Sequence, residues 1–175
     1  PVNGRECGRS DRDPVDVLVR VEDRDRCDRR DKCCRPIDVA LNAATGGAGP
    51  LPILAAGALT TAIPIVSVTI DADCICDPDI LLTFTTTITL PLAVAATLTF
   101  AVLRTSVDNG TPITVGPGFT YAVTVVALES DSFAFQLFDS DLQPGTYTYS
   151  VVLTPSVVTT VAGVTLVNST LSALA

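Results

Sequence analysis

From residue 37 onward the chain is written almost wholly in Val, Ile, Thr, Leu and Ala, and the helix formers Glu, Lys and Gln are nearly absent. That vocabulary confines the body to β-structure. Branched side chains crowd the turns of a helix but fit the pleated surface of a sheet. The stretch 80–90 shows the pattern best, with Thr83, Thr85, Thr87 and Thr89 at every second position. A period of two sends these threonines to one face, read as facing solvent. Thr146 and Thr148 repeat the pattern later.

Further candidate strands are 37–41, 63–70, 97–104, 112–115, 119–128, 132–138, 145–154, 156–161 and 164–172. Turn signals separate them at Asp108-Asn109-Gly110, Gly116-Pro117-Gly118, Glu129-Ser130-Asp131 and Gln143-Pro144-Gly145. Gly46-Gly47-Ala48-Gly49, followed by Pro-Leu-Pro, reads as a loop or linker. Eight or more short strands in about 140 residues predict an all-β jelly-roll sandwich. An immunoglobulin-like sandwich is the second choice, without the Cys–Trp–Cys pattern, because Trp is absent.

Residues 1–36 obey different physics. Ten of the eleven basic residues lie in the first 35 positions, and ten acids accompany them by residue 38. After Arg35 the only basic residue is Arg104, so the body carries nearly all of the net charge of −8. A segment of alternating Arg and Asp buries too little apolar area to offset its ordering entropy. It reads as an extended N-terminal arm joined to a sandwich over 37–175. One island stands out in it. Val15, Val17, Val19 and Val21 line one face if the segment is extended. Such a face suits a strand that adds to the sheet edge of another subunit, or one that folds back on its own domain.

Several functions are set aside by composition. A net charge of −8 opposes nucleic-acid binding, which needs a basic face. The longest low-charge stretch, 39–70, is interrupted by Pro50, Pro52 and Pro64 and by four glycines, so no membrane span is expected. No basic segment followed by an apolar one opens the chain, so no secretory leader is expected. With no His, the usual general base is missing. The sole lysine, Lys32, sits in the arm, and no phosphate-binding glycine loop is present. No catalytic residue, cofactor or metal is therefore expected. Asp71, Asp73, Asp77 and Asp79 lack the spacing of a calcium loop and read as polar loop residues. Asn109-Gly110-Thr111 and Asn168-Ser169-Thr170 fit the N-glycan acceptor pattern.

Six cysteines remain: Cys7, Cys27, Cys33, Cys34, Cys74 and Cys76. A vicinal pair and a pair separated by one residue fit a tetrahedral zinc site poorly. Free thiolates in an Arg-rich segment are prone to oxidation. Disulfides are the third reading and the favoured one. Neighbouring cysteines seldom bridge each other, because the ring is strained. The economical scheme joins Cys33 and Cys34 to Cys74 and Cys76, with Cys7 and Cys27 as further cross-links.

The Cys33-Cys34 pair ahead of an apolar Thr/Val-rich body resembles the endospore appendage (Ena) subunits of spore-forming Firmicutes. The run from Val68 to Phe84, through Asp73-Cys74-Ile75-Cys76-Asp77-Pro78, is similar to a domain of unknown function in clostridial relatives of that group. The resemblance implies jelly-roll subunits stacked into pilus-like fibres by strand augmentation and disulfide-linked connectors. Cys33 and Cys34 match the connector, and Cys74 or Cys76 an acceptor on a neighbour. The departures are the long charged arm, the extra Cys7 and Cys27, and the valine island. The expected role is a structural subunit of a helical homopolymer on a spore or cell surface, with surface glycans or a host surface as further partners. The alternative is a carbohydrate- or receptor-binding module in a closed oligomer. An enzyme ranks last.

Overall fold

A computed structural model describes residues 39–51, 61–73, 75, 77–91, 95–124, 128–154 and 163–175. It contains eight strands: β1 (Leu41–Ala48), β2 (Ile63–Asp71), β3 (Ile80–Leu90), β4 (Ala95–Ser106), β5 (Ile113–Thr124), β6 (Glu129–Asp139), β7 (Thr146–Leu153) and β8 (Thr165–Leu174). They form two antiparallel four-stranded sheets, ordered β1-β8-β3-β6 and β2-β7-β4-β5. The pairings β1–β8, β2–β7, β3–β6 and β4–β5 are those of one long hairpin rolled into two layers. This is the expected jelly roll.

Alternation builds the core. Along β3, Ile80, Leu82, Phe84, Ile88 and Leu90 are fully buried, and the four threonines of the 83–89 series point outward. Thr86 is the exception, turned inward and buried, its hydroxyl 2.8 Å from that of Ser169. Between the sheets, Phe84 and Phe100 meet with ring centroids 5.8 Å apart, and within the first sheet Phe84 lies 5.0 Å from its cross-strand partner Phe135. Phe119 stacks on Phe135 at 3.9 Å. Burying one such side chain contributes about 1.5–3 kcal/mol, so this inter-sheet cluster is a principal source of cohesion.

Three expectations need correction. Gly46 and Gly47 lie within β1, because a Cβ at Gly46 would strike the Ile65 carbonyl oxygen and one at Gly47 would lie 2.6 Å from that of Leu166. They are small to admit close backbone, and the ladder shifts register there. Gly116-Pro117-Gly118 is a bulge inside one continuous β5, where two strands were expected. Its Gly116 has φ +68°, with the Leu137 side chain filling the place of a Cβ. Glu129-Ser130-Asp131 opens β6 and pairs with β3 from Leu90 to Ile88, the ladder running on although these residues are all exposed. Among the described residues the first strand starts at Leu41, with Val39 and Ala40 outside it; residues 37–38 of the candidate strand 37–41, and the candidate strand at 156–161, lie outside the described residues.

Candidate functional site

Every strand runs between the same two ends, which makes the body polar. The β2–β3, β4–β5 and β6–β7 connections gather at one end, together with Ala40 and Ala175. Backbone bonds tie these connections to one another. The Ala72 amide donates to the Gly145 carbonyl at 3.0 Å, and the Val107 amide to that of Thr146 at 3.1 Å. Ala40 and Ala175 exchange amide–carbonyl bonds of 3.0 and 2.9 Å. Asp71, Asp73, Asp77, Asp79, Asp108, Asp139 and Asp141 all belong to this end, so seven of the nine Asp and Glu side chains among the described residues sit there with one cation, Arg104. Among the described residues no three ligating side chains converge on a metal position.

A buried brace closes the two sheets at this end. Arg104 on β4 directs Nη1 to both Asp139 oxygens on β6, at 2.9 and 2.8 Å. The Tyr149 hydroxyl on β7 donates to Asp139 Oδ2 at 2.7 Å. Asp139 is only 6% exposed. The guanidinium also lies over the Tyr147 ring, 5.8 Å from its centroid. Burial alone weakens the charge on Arg104, but the hydrogen bond and charge of Asp139 outweigh it, and the guanidinium holds its proton more tightly than usual. Burial, then the Asp139 contact, raises the Tyr149 hydroxyl above the ordinary tyrosine range. Near the opposite end, the Tyr121 hydroxyl on β5 donates to Asp131 on β6 at 3.0 Å and is pushed up to about 12, by burial first and that bond second.

The edges and outer faces are the surfaces through which such a body meets others. β1 and β6 flank one sheet and β2 and β5 the other, each hydrogen-bonded on one side. An edge strand offers unpaired N–H and C=O groups to an incoming chain. Asn42 Nδ2 donates to the Thr69 carbonyl at 2.7 Å, linking the β1 and β2 edges. On the outer face of the first sheet, Leu41, Leu174, Leu81 and Phe138 stand directly opposite one another across all four strands. They form an apolar row, with Leu41 71%, Phe138 59% and Leu174 40% exposed.

Neither the row nor the brace was apparent in the sequence. The doublets Leu81-Leu82 and Leu137-Phe138 carry a faint signal for the row, since a doublet in an alternating strand must turn one member outward. The brace had only the solitary Arg104 to announce it. Of the residues singled out from sequence, Cys7, Cys27, Cys33, Cys34, Val15, Val17, Val19 and Val21 lie outside the described residues, as do Cys74 and Cys76. The neighbours of the last two are described. Asp73 donates its amide to Asp71 Oδ1 at 3.0 Å, the Ile75 amide donates to the Ala72 carbonyl at 3.1 Å, and Asp77 has φ +47°. Asp73, Ile75 and Asp77 therefore lie at the acidic end. Of the glycan acceptor positions, Asn109 is exposed in the β4–β5 turn and Asn168 on β8.

Residues 35–175 match the family model described as Domain of unknown function (DUF4489). No curated protein matches the chain. Among solved structures it is similar to a chain in the structure of infectious bursal disease virus Gx strain, with a TM-score of 0.51 and 12% identity. The alignment covers 79% of this chain and 33% of that one, so the present chain spans about a third of its length. At this identity the likeness concerns the fold.

Proposed function

We propose that this chain, which belongs to the DUF4489 family, is a non-enzymatic structural subunit of a self-assembling fibre on a spore or cell surface. In this reading bodies join by strand augmentation and the N-terminal segment cross-links them through disulfides. The observation that carries it is a jelly roll of two open sheets, four edge strands in all, preceded by a segment with its own β-patterned valines and four cysteines. Open edges invite a strand, and Val15, Val17, Val19 and Val21 are patterned to supply one. Cys33 and Cys34 are the donors and Cys74 and Cys76 the acceptors on a neighbouring copy, with Cys7 and Cys27 as additional links. A disulfide stabilises a single chain by about 2–4 kcal/mol. Between chains it also makes dissociation require bond cleavage.

The resemblance to endospore appendage subunits supports this reading, as does a fold shared with a chain from a virus structure. The sugar- or receptor-binding alternative draws less support. Phe84, Phe100 and Phe135 are buried and Phe119 and Phe133 pack against the core, which leaves Phe138 as the phenylalanine most open to a ligand among the described residues. Electron microscopy of the full chain, purified with and without reductant, tests the proposal. Filaments that survive denaturant until reduced are expected, with mixed-label disulfide peptides when isotope-labelled and unlabelled copies are assembled together. Monodisperse monomers under oxidising conditions would refute it.

A further inference from the structure

We infer that the outer face of the β1-β8-β3-β6 sheet is a contact between two copies of this chain, with the Leu41–Leu174–Leu81–Phe138 row as its apolar strip. This goes beyond the edge pairing and cross-linking proposed above, because it uses a face where those use edges and thiols.

Three observations point to a second copy as the occupant. The first is charge. The described residues carry nine acids and one base, so two bodies repel wherever their charged surfaces meet. Outward positions on these four strands carry Leu, Ala, Thr, Ser, Val, Asn, Gln and Phe, with no Asp, Glu, Lys or Arg. The acids of β6 fall on the inward register: Asp139 is buried and held by Arg104 and Tyr149, while Glu129 and Asp131 are exposed at the far end of the strand from the row, Asp131 bonded to Tyr121. The outer face of the other sheet carries Asp71 at its corner. Two copies therefore meet no charged side chain on the face itself, while the acids beside the row, Asp79 among them, supply a repulsion that salt screens.

The second observation is the row itself. Four large apolar side chains in direct cross-strand register form one contiguous strip, unlike the single exposed apolar residues Val107 and Leu128 elsewhere. A contiguous strip has meaning where scattered residues have none. The third is size. Strands spaced about 4.8 Å apart, with a rise of about 3.3 Å per residue, make this sheet about 19 Å wide and about 30 Å long. Side-chain relief adds to that plane, and a stable interface needs roughly 800 Å² from each partner. The face is of the required order, with the strip at one end and outward threonines extending the surface from it along β3.

The test uses the full chain in reductant, so that thiols stay unbridged, and sedimentation velocity across a concentration series. The parent chain is expected to associate, and to do so more tightly as salt rises, because screening removes the repulsion between acidic bodies while the apolar strip is unaffected. The double variant Leu81→Thr/Phe138→Thr keeps strand-forming residues on outward positions and adds no charge. It is expected to weaken association at least tenfold with unchanged far-ultraviolet circular dichroism. Val107→Thr, which trims an exposed apolar residue off this face, is expected to associate like the parent. The proposal is overturned by a parent that stays monomeric, by unweakened association in the double variant, or by equal weakening in Val107→Thr. It is also overturned by association that loosens with salt, the signature of ion pairing with the Arg-rich segment. Micrographs of the oxidised double variant keep the two readings apart: fibres alongside unweakened association sink the face contact and leave the fibre standing.

Discussion

Arg104→Met probes whether the two sheets are locked at the acidic end. The substitution keeps a long, unbranched, apolar stem but removes the guanidinium whose Nη1 touches both oxygens of Asp139. The carboxylate is left 6% exposed, and the Tyr149 hydroxyl at 2.7 Å still donates to it. Removing one partner of a fully buried pair costs about 3–5 kcal/mol, most of it the stranded charge. Here the Arg104 side chain is 21% exposed and Tyr149 stays in place, so water and the phenol temper the loss. An expected cost of about 2–3 kcal/mol follows. Asp139→Leu removes the other charge and strands the guanidinium, which reaches solvent more easily, for about 1–2 kcal/mol. In Arg104→Met/Asp139→Leu no charge is stranded, and the double variant should be no worse than Arg104→Met alone. Equilibrium unfolding in urea under reductant, followed by circular dichroism, reads all three. An Arg104→Met cost below about 0.5 kcal/mol, or single costs that simply add in the double variant, would refute the brace.

Alkaline titration is a second check. The Tyr121 pKa is raised to about 12 from an ordinary value of 10, so the folded state keeps a proton that the unfolded chain releases. Its contribution to stability is whole below pH about 10 and is lost as pH climbs through about 12, a fall of roughly 2 kcal/mol. Tyrosinate absorbance should rise together with loss of circular dichroism, since Tyr147 and Tyr149 are also raised. Reversible ionisation near pH 10 in an intact fold counts against it. Gly116→Ala meets both a φ of +68° and the Leu137 side chain, and is expected to cost at least about 2 kcal/mol. Gly110→Ala, at φ +64° but facing open space, should cost about 1 kcal/mol, and equal thermal shifts for the two would contradict the steric argument. Thr86→Val strands the buried Ser169 hydroxyl at about 1–3 kcal/mol, and adding Ser169→Ala should restore much of that loss in the same assay.

What could be read from residues alone followed from periodicity. The stretch at 80–90 was legible to its ends because its alternation runs the whole length, broken only by the outward Leu81 and the inward Thr86, and both sheets follow from many such strands. Glycine misled the reading. Gly46-Gly47 and Gly116-Pro117-Gly118 look like loops, yet the structure uses them where another backbone or side chain approaches too closely for a Cβ. Long-range partnership was equally hidden. Asp139 and Arg104 are 35 residues apart and Thr86 and Ser169 are 83 apart, and no local pattern links them. The apolar row is the extreme case, since its members come from four strands and align only once the register is known.

The rolled hairpin also sets an order of events in time. The β4–β5 ladder joins neighbours such as Phe100 and Phe119, whereas β1 must find β8, with Leu41 opposite Leu174. Closing so wide a loop is entropically late and slow. During synthesis β1 to β3 emerge long before β6 to β8 exist to receive them, so the nascent molecule spends an interval with sticky, unpaired strands. Pulsed hydrogen exchange during refolding should find β4–β5 amides protected first and β1 amides last. A cell making this chain in quantity has reason to shield it until its final strand leaves the ribosome.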